Sequence, residues 1–402
     1  MHSFNLNAIH LGYLSSTYFF ADALAIIPAG LLLDRFSIRR VMLIVMSLCV
    51  LSVYVFATTH NLYAAFVARA IVGMGNAFAF LGSMQLAARW LPSKRLALGM
   101  GLIITTIMIG GIIAQTPLTL LAHAIDWRGA MIVNASVGLA LLLYMFYAVQ
   151  DAPIGKNLNE GIDATATVFS KLWRSMKKPQ NWFCSSFTAF MNVPITLLGE
   201  LWGIMYLTQT RHFPMTTAAN IASMMFVGMI IGAPAMGWFS DKIGKRKTPM
   251  MTSAFLILLV VIAIAYLPIS SAFALGVLFF FLGLLSSAQV LSYPTMAESN
   301  SLAMTGTALS IVAIMLNLVS FAAQPLYGWL MHTQAYTQNA AGKITYSSAS
   351  FDVAMALLPI AFIISFVFSY YIKETFCKPY TADSAESDEA ASSMMRESAA
   401  EI

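Results

Sequence analysis

Charge is what this chain of 402 residues has least of. Only 10% of its residues are Asp, Glu, Lys or Arg, against 59% that are hydrophobic. No soluble fold of this length could bury so much apolar surface, so the chain belongs in a bilayer. Cysteine is scarce as well: Cys49, Cys184 and Cys377 lack any CxxC spacing, so neither a disulfide framework nor a metal site is expected. The first apolar run follows a polar start without a basic n-region and ends in Asp-Arg, so no cleavable signal peptide is expected. The sequence also lacks a phosphate-cradling glycine loop, a catalytic-triad pattern and a metal-ligand cluster. The expectation is therefore no enzyme, no ATP-driven pump and no cofactor. A net charge of +5 would suit nucleic acid, but the basic residues fall between apolar runs, where membrane topology explains them better.

What the chain does have is eleven apolar segments, each roughly 20 residues long and so able to cross a bilayer as a helix. They lie near 11–33, 41–58, 62–88, 96–122, 129–149, 183–208, 217–240, 249–267, 272–296, 303–332 and 352–372. The connections on one side carry 18 of the 22 Lys and Arg residues; the other side holds only Arg128, Arg211 and Lys343, and Arg69 lies within an apolar run. By the positive-inside rule the N-terminus is outside and the C-terminus cytoplasmic. The fold class is an all-α membrane protein of two helical bundles. Residues 1–149 form an N-terminal bundle of five spans, and 183–373 a C-terminal bundle of six. Between them, 150–182 form a cytoplasmic linker in which Val168, Leu172, Trp173 and Met176 make an apolar face opposite Lys171, Arg174 and Lys178, an amphipathic helix on the membrane surface. Residues 374–402, rich in Ser, Ala and Glu, read as a disordered cytoplasmic tail.

One short stretch occurs twice. Gly30-Leu31-Leu32-Leu33-Asp34-Arg35-Phe36-Ser37-Ile38-Arg39-Arg40 returns 207 residues later as Gly237-Trp238-Phe239-Ser240-Asp241-Lys242-Ile243-Gly244-Lys245-Arg246-Lys247. Two such loops half a chain apart indicate a duplicated helical unit. With Arg69-x-x-x-Gly73-x-Gly75, Asp126-Trp127-Arg128 and the pairing of Gln115-x-Pro117-Leu118 with Gln324-Pro325-Leu326, the pattern resembles the major facilitator superfamily. The resemblance implies twelve helices, and the first loop should then follow the second helix. Here it follows the first apolar run, so the expectation is that the family's first helix is absent, by truncation, a misplaced start or real loss. The resemblance also implies a cytoplasmic gate. Asp34 and Asp241 would each meet a helix N-terminus of the opposite half and a nearby Arg, with Arg35, Arg39, Arg40, Lys242 and Arg246 completing the motif. Gly30 and Gly237 would then permit close backbone approach. Plain topology-setting loops are the other reading.

Three ionisable residues fall inside apolar runs: Asp22, Arg69 and Glu200. Each costs roughly 2.5–3.5 kcal/mol at mid-bilayer, so each should face a wet cavity or a partner. Asp22 and Glu200 are candidates for a proton or a substrate amine, and Arg69 for a carboxylate on the substrate or on Asp22. An internal ion pair that serves packing alone is the other reading. Trp202 and Tyr206 line the cavity or anchor a helix end at the interface. Asn192, Gln289, Asn317 and Gln324 suit interhelical hydrogen bonds, whereas Glu298 and Asp352 flank helix ends and sit in water. The expected function is secondary transport of a small polar metabolite by proton symport, across a bacterial inner membrane and as a monomer. The resemblance to bacterial nutrient-uptake and lysosomal dipeptide branches points to amino acids or small peptides. A proton-antiport exporter and a non-transporting sensor or remnant are the alternatives; the exporter's usual Gly-Pro pair is missing after Gly110-Gly111.

Overall fold

The computed structural model describes residues 7–90, 93–151, 175–300, 302–334, 336–338 and 344–378. The first half holds α1 (Ala8–Arg35), α2 (Ile38–Thr58), α3 (Leu62–Trp90) and α4 (Ser93–Ala148). The second half begins with a broken span made of α5 (Pro179–Met191), a π turn (Ile195–Gly199) and α6 (Gly203–Gln209). Then come α7 (Met215–Ile243), α8 (Lys247–Tyr266), and α9 (Ala272–Ser286) joined through a 3₁₀ turn to α10 (Ser292–Ser299). Last are α11 (Leu302–His332), a small ladder of β1 (Tyr336–Gln338) on β2 (Ile344–Tyr346), α12 (Ser348–Met355) and α13 (Leu357–Tyr371).

Among the described residues nine helices are long and apolar enough to cross a membrane, or ten with the pair bent by 50° at 200–202. The expected eleven segments are all helical; they differ in where the chain breaks. The fourth and fifth are one continuous α4, whose apolar stretch of 47 residues would reach about 70 Å at roughly 1.5 Å per residue. That is twice the hydrocarbon thickness. The stretch divides at Asp126, whose left-handed φ of 67° follows a non-helical Ile125. Arg128 fixes this corner by donating to the Ala57 carbonyl at 3.1 Å and stacking on Trp127. The β ladder was not legible in the sequence, and the amphipathic linker helix and the tail beyond 378 lie outside the described residues.

The duplication is visible in the backbone. Prolines inside helices fall in matching pairs, Pro28 with Pro234 and Pro117 with Pro325. The helix that follows each signature loop is capped by a carboxylate from the end of its own half. Asp151 accepts from the Arg39 N–H at 2.8 Å, and Glu374 accepts from the Arg246 and Lys247 N–H groups at 2.7 and 3.0 Å. These free N–H groups at a helix start are a natural anion site.

Glycines set the crossings. A Cβ at Gly73 would strike the Tyr18 carbonyl where α3 meets α1, and one at Gly283 would strike the Met225 carbonyl where α9 meets α7. Gly73→Leu is therefore expected to abolish assembled protein, seen as loss of the monodisperse peak on gel filtration in detergent. Gly110→Ala, with nothing within 4 Å of its added carbon, should leave that peak unchanged.

Candidate functional site

The two halves meet along two seams; the polar contacts of one lie on the side away from the signature loops, whereas the other runs past mid-span to Ala25, Ile26 and Ala29, which cluster with Ala313 and Ile314. In the first seam α1 lies against α11. A Cβ on Gly12 would come within 2.7 Å of Pro325 Cα and 2.8 Å of the Gln324 carbonyl, and one on Gly328 would strike the Ala8 carbonyl. The Ala8 N–H donates to the Tyr346 hydroxyl at 2.8 Å, which ties this seam to the outer ladder. In the second seam α4 lies against α7: Thr116 donates to Asn220 and shares a bond with Ser223, both at 2.9 Å, and Gly111 faces the Phe226 ring.

Directly below these contacts the intramembrane ionisable residues come together. Arg69 of α3 donates to the Ser15 hydroxyl at 3.3 Å and lies 5.7 Å from the centre of the Tyr18 ring, both on α1. Glu200 lies in the break between the π turn and α6, with an exposed side chain. It lies near Arg69 and Tyr18. Among the described residues Arg69 forms no ion pair. Asp22 is 4% exposed near the middle of α1. Its carboxylate accepts from Asn76 of α3 at 2.8 Å and from Asn317 of α11, so it spans the seam. Asp22 is therefore bound by two amides rather than by Arg69.

The break beside Glu200 has a local cause. Pro194 has no N–H to donate, and the chain widens into a π turn in which the Trp202 N–H reaches the Leu197 carbonyl at 2.7 Å. A Cβ at Gly203 would strike the Leu198 carbonyl, so the glycine of Glu200-Leu201-Trp202-Gly203 is a requirement of that turn.

Other expected residues are placed differently. Trp202 and Tyr206 neither line a cavity nor sit at a lipid interface. Both are fully buried, Trp202 stacked on Tyr327 at 5.5 Å and Tyr206 bonded to the Ile264 carbonyl at 2.8 Å. Two and six residues beyond Glu200, about 200° and 240° around a helix, they lie on the side away from it. Gly30 and Gly237 have no atom within 4 Å of an added Cβ, so the expected close approach is absent. Asp241 pairs with Arg246 of its own loop at 2.6 Å, not with the opposite half, and the Asp34 side chain lies outside the described residues. Arg35 and Arg40 are exposed, while Arg39 bonds the Phe146 carbonyl at 2.6 Å. Lys242 lies over the Trp238 ring at 4.8 Å. Glu298 is not solvated but pairs with Arg246 at 2.8 Å. Burial works against the charge of Arg246, yet Glu298 and Asp241 outweigh it and hold the guanidinium above its ordinary range. Arg246→Ala leaves the half-buried Glu298 with only the Thr375 hydroxyl as a partner, and should cost about 1–3 kcal/mol, read as a lower melting temperature in detergent.

Sequence reading alone missed Ser15, Tyr18 and Asn76, and gave Gln115 only as part of a repeated motif. The signal was a helical one: Ser15 and Tyr18 precede Asp22 by seven and four residues, and Asn76 follows Arg69 by seven, each on one face.

The Major Facilitator Superfamily profile matches residues 1–325 and 201–387. The chain belongs to the Major Facilitator Superfamily. It is a multi-pass membrane protein whose relatives are named as transporters. One is a probable galactarate/D-glucarate transporter, GudP, of Escherichia coli (strain K12), 22% identical over 64% of each chain. Another is a probable sulfoacetate transporter, SauU, of Cupriavidus necator, 23% identical over 60% of this chain and 58% of its own. A third, from Chlamydia pneumoniae, is a probable hexose phosphate transport protein, 22% identical over 61% of this chain and 59% of its own. The matched stretch thus spans less than two thirds of these relatives. Among solved structures, a bacterial homologue of the human lysosomal transporter Spinster has the same fold with a TM-score of 0.73 at 16% identity, covering 93% of this chain and 91% of the other. The nucleoside transporter NupG (D323A mutant) gives 0.69 at 15%, covering 92% of each.

Proposed function

We propose that this superfamily member is a secondary transporter that carries a small organic anion by alternating access of its two halves. Arg69 carries this reading. It is a permanent cation among Ser15 and Tyr18, without a carboxylate partner among the described residues, at the closed end of the interface between the halves. In a low-dielectric interior such a cation favours a substrate carboxylate, sulfonate or phosphate. The names of the relatives fit that chemistry, since galactarate, sulfoacetate and hexose phosphate are all anions. The polar bonds of the α4–α7 seam lie away from the signature loops, which by the Lys and Arg distribution face the cytoplasm. The conformation is then closed outward, in an inner membrane with the C-terminus inside. Coupling to protons uses Asp22 or Glu200. Amino acids and small peptides are the second reading, because Glu200 opposite Arg69 suits a zwitterion.

Uptake into proteoliposomes under an imposed pH gradient tests both readings. Radiolabelled galactarate, an amino acid and a dipeptide are offered to the same preparation. Proton-driven uptake of the acid supports the first reading and of either other compound the second. No accumulation of any of them, with correctly inserted protein, overturns the transport reading for these substrate classes.

A further inference from the structure

The broken helix that carries Glu200 is held by two glutamine side chains, one from each half. A π turn followed by a bend frees carbonyls that an unbroken helix would bond internally, and inside a bilayer each needs another donor. Gln324 of α11 donates its amide to the Thr196 carbonyl at 3.2 Å, from within the same half. Gln115 of α4 donates to the Gly199 carbonyl from the opposite half. Both glutamines are buried, at 0% and 7% exposure, and Gln115 lies next to Thr116, whose bonds to Asn220 and Ser223 close the α4–α7 seam. Gly199 immediately precedes Glu200, so the amide of Gln115 acts one residue from the carboxylate.

We propose that Gln115 is a positioning residue for Glu200, coupling the bend of this helix to closure of the α4–α7 seam. While the seam is shut, the Gln115 amide satisfies the Gly199 carbonyl, and the bent form presents Glu200 opposite Arg69. When the halves part, that carbonyl loses its donor in an apolar setting, and the helix must change shape around residues 199–203 to satisfy it. The position of Glu200 then follows the orientation of the bundles without a contact of its own. The part played by Glu200 rests on the proposed transport function; the coupling itself does not.

The test uses the whole chain with Cys49, Cys184 and Cys377 replaced by Ser. Spin labels are placed at Tyr63→Cys, at the start of α3, and Phe273→Cys, near the start of α9, two exposed positions on the far side, one per half. Gln115→Leu keeps the volume and removes the donor. The population with the longer label distance should rise about five- to tenfold, as expected for loss of one buried hydrogen bond. Gln324→Leu removes the donor within one half and should lower the melting temperature without that rise. An unchanged distance distribution in folded Gln115→Leu overturns the proposal, and so does an equal rise in Gln324→Leu. Because the readout is a distance, failure of the transport reading leaves this result intact. In an active preparation, Gln115→Leu should also raise the KM for the acid more than it lowers the maximal rate.

Discussion

Arg69→Ala is expected to reduce initial uptake of the transported anion by about 100-fold or more. Truncating one partner of a desolvated charge pair costs roughly 2–5 kcal/mol, and each 1.4 kcal/mol is about tenfold. The loss should fall on uptake rather than on folding, since Arg69 touches a hydroxyl and an aromatic ring among the described residues. Arg69→Lys keeps the charge but loses the planar fork that meets two oxygens at once, so a smaller loss of about tenfold is expected. Initial rates in proteoliposomes, beside gel filtration and a melting curve, measure both. A rate in Arg69→Ala within about twofold of the parent would remove Arg69 from the site.

Asp22→Asn is expected to abolish concentrative uptake while sparing exchange of substrate across the membrane. The ionised carboxylate accepts one amide from its own half and one from the other. Protonation turns one carboxyl oxygen into an O–H donor facing an amide donor, so one of those bonds is lost and the seam loosens. Asparagine holds the neutral condition permanently, and no proton is then picked up or released. Accumulation against a gradient, driven by pH, should fall at least about tenfold, and counterflow should persist. If Asp22→Asn accumulates normally and Glu200→Gln does not, the proton belongs to Glu200. Normal accumulation in both variants would end the coupling mechanism.

Much of the site could be read in advance because buried charge inside an apolar run is costly wherever it occurs. Asp22, Arg69 and Glu200 were picked out by that cost alone, and the structure puts them around one region near Tyr18. Their pairing could not be read. Arg69 was a candidate partner for Asp22, yet two asparagines from different halves took the acid, a choice that depends on how α1, α3 and α11 cross. Trp202 and Tyr206 failed for a related reason. They follow Glu200 by two and six residues, about 200° and 240° around a helix, and what covers that side depends on how the broken span packs against Tyr327 and Ile264 of other helices.

By itself the sequence determined the class of the protein. Apolar runs of bilayer length fixed helices, the lopsided Lys and Arg count gave an expected orientation, and the loop at Gly30 repeated at Gly237 fixed duplication and family resemblance. These are local or summed properties that do not depend on which residue touches which. The tertiary structure decided everything that rests on contact between segments far apart in the chain. It placed Arg246 between Asp241 and Glu298 in one loop cluster, left Gly30 and Gly237 in open space, and joined Gln115 to Gly199 across the halves. Hydrogen bonds and ion pairs form over about 3 Å, and whether two groups come that close is set by helix crossings and breaks that no single segment contains.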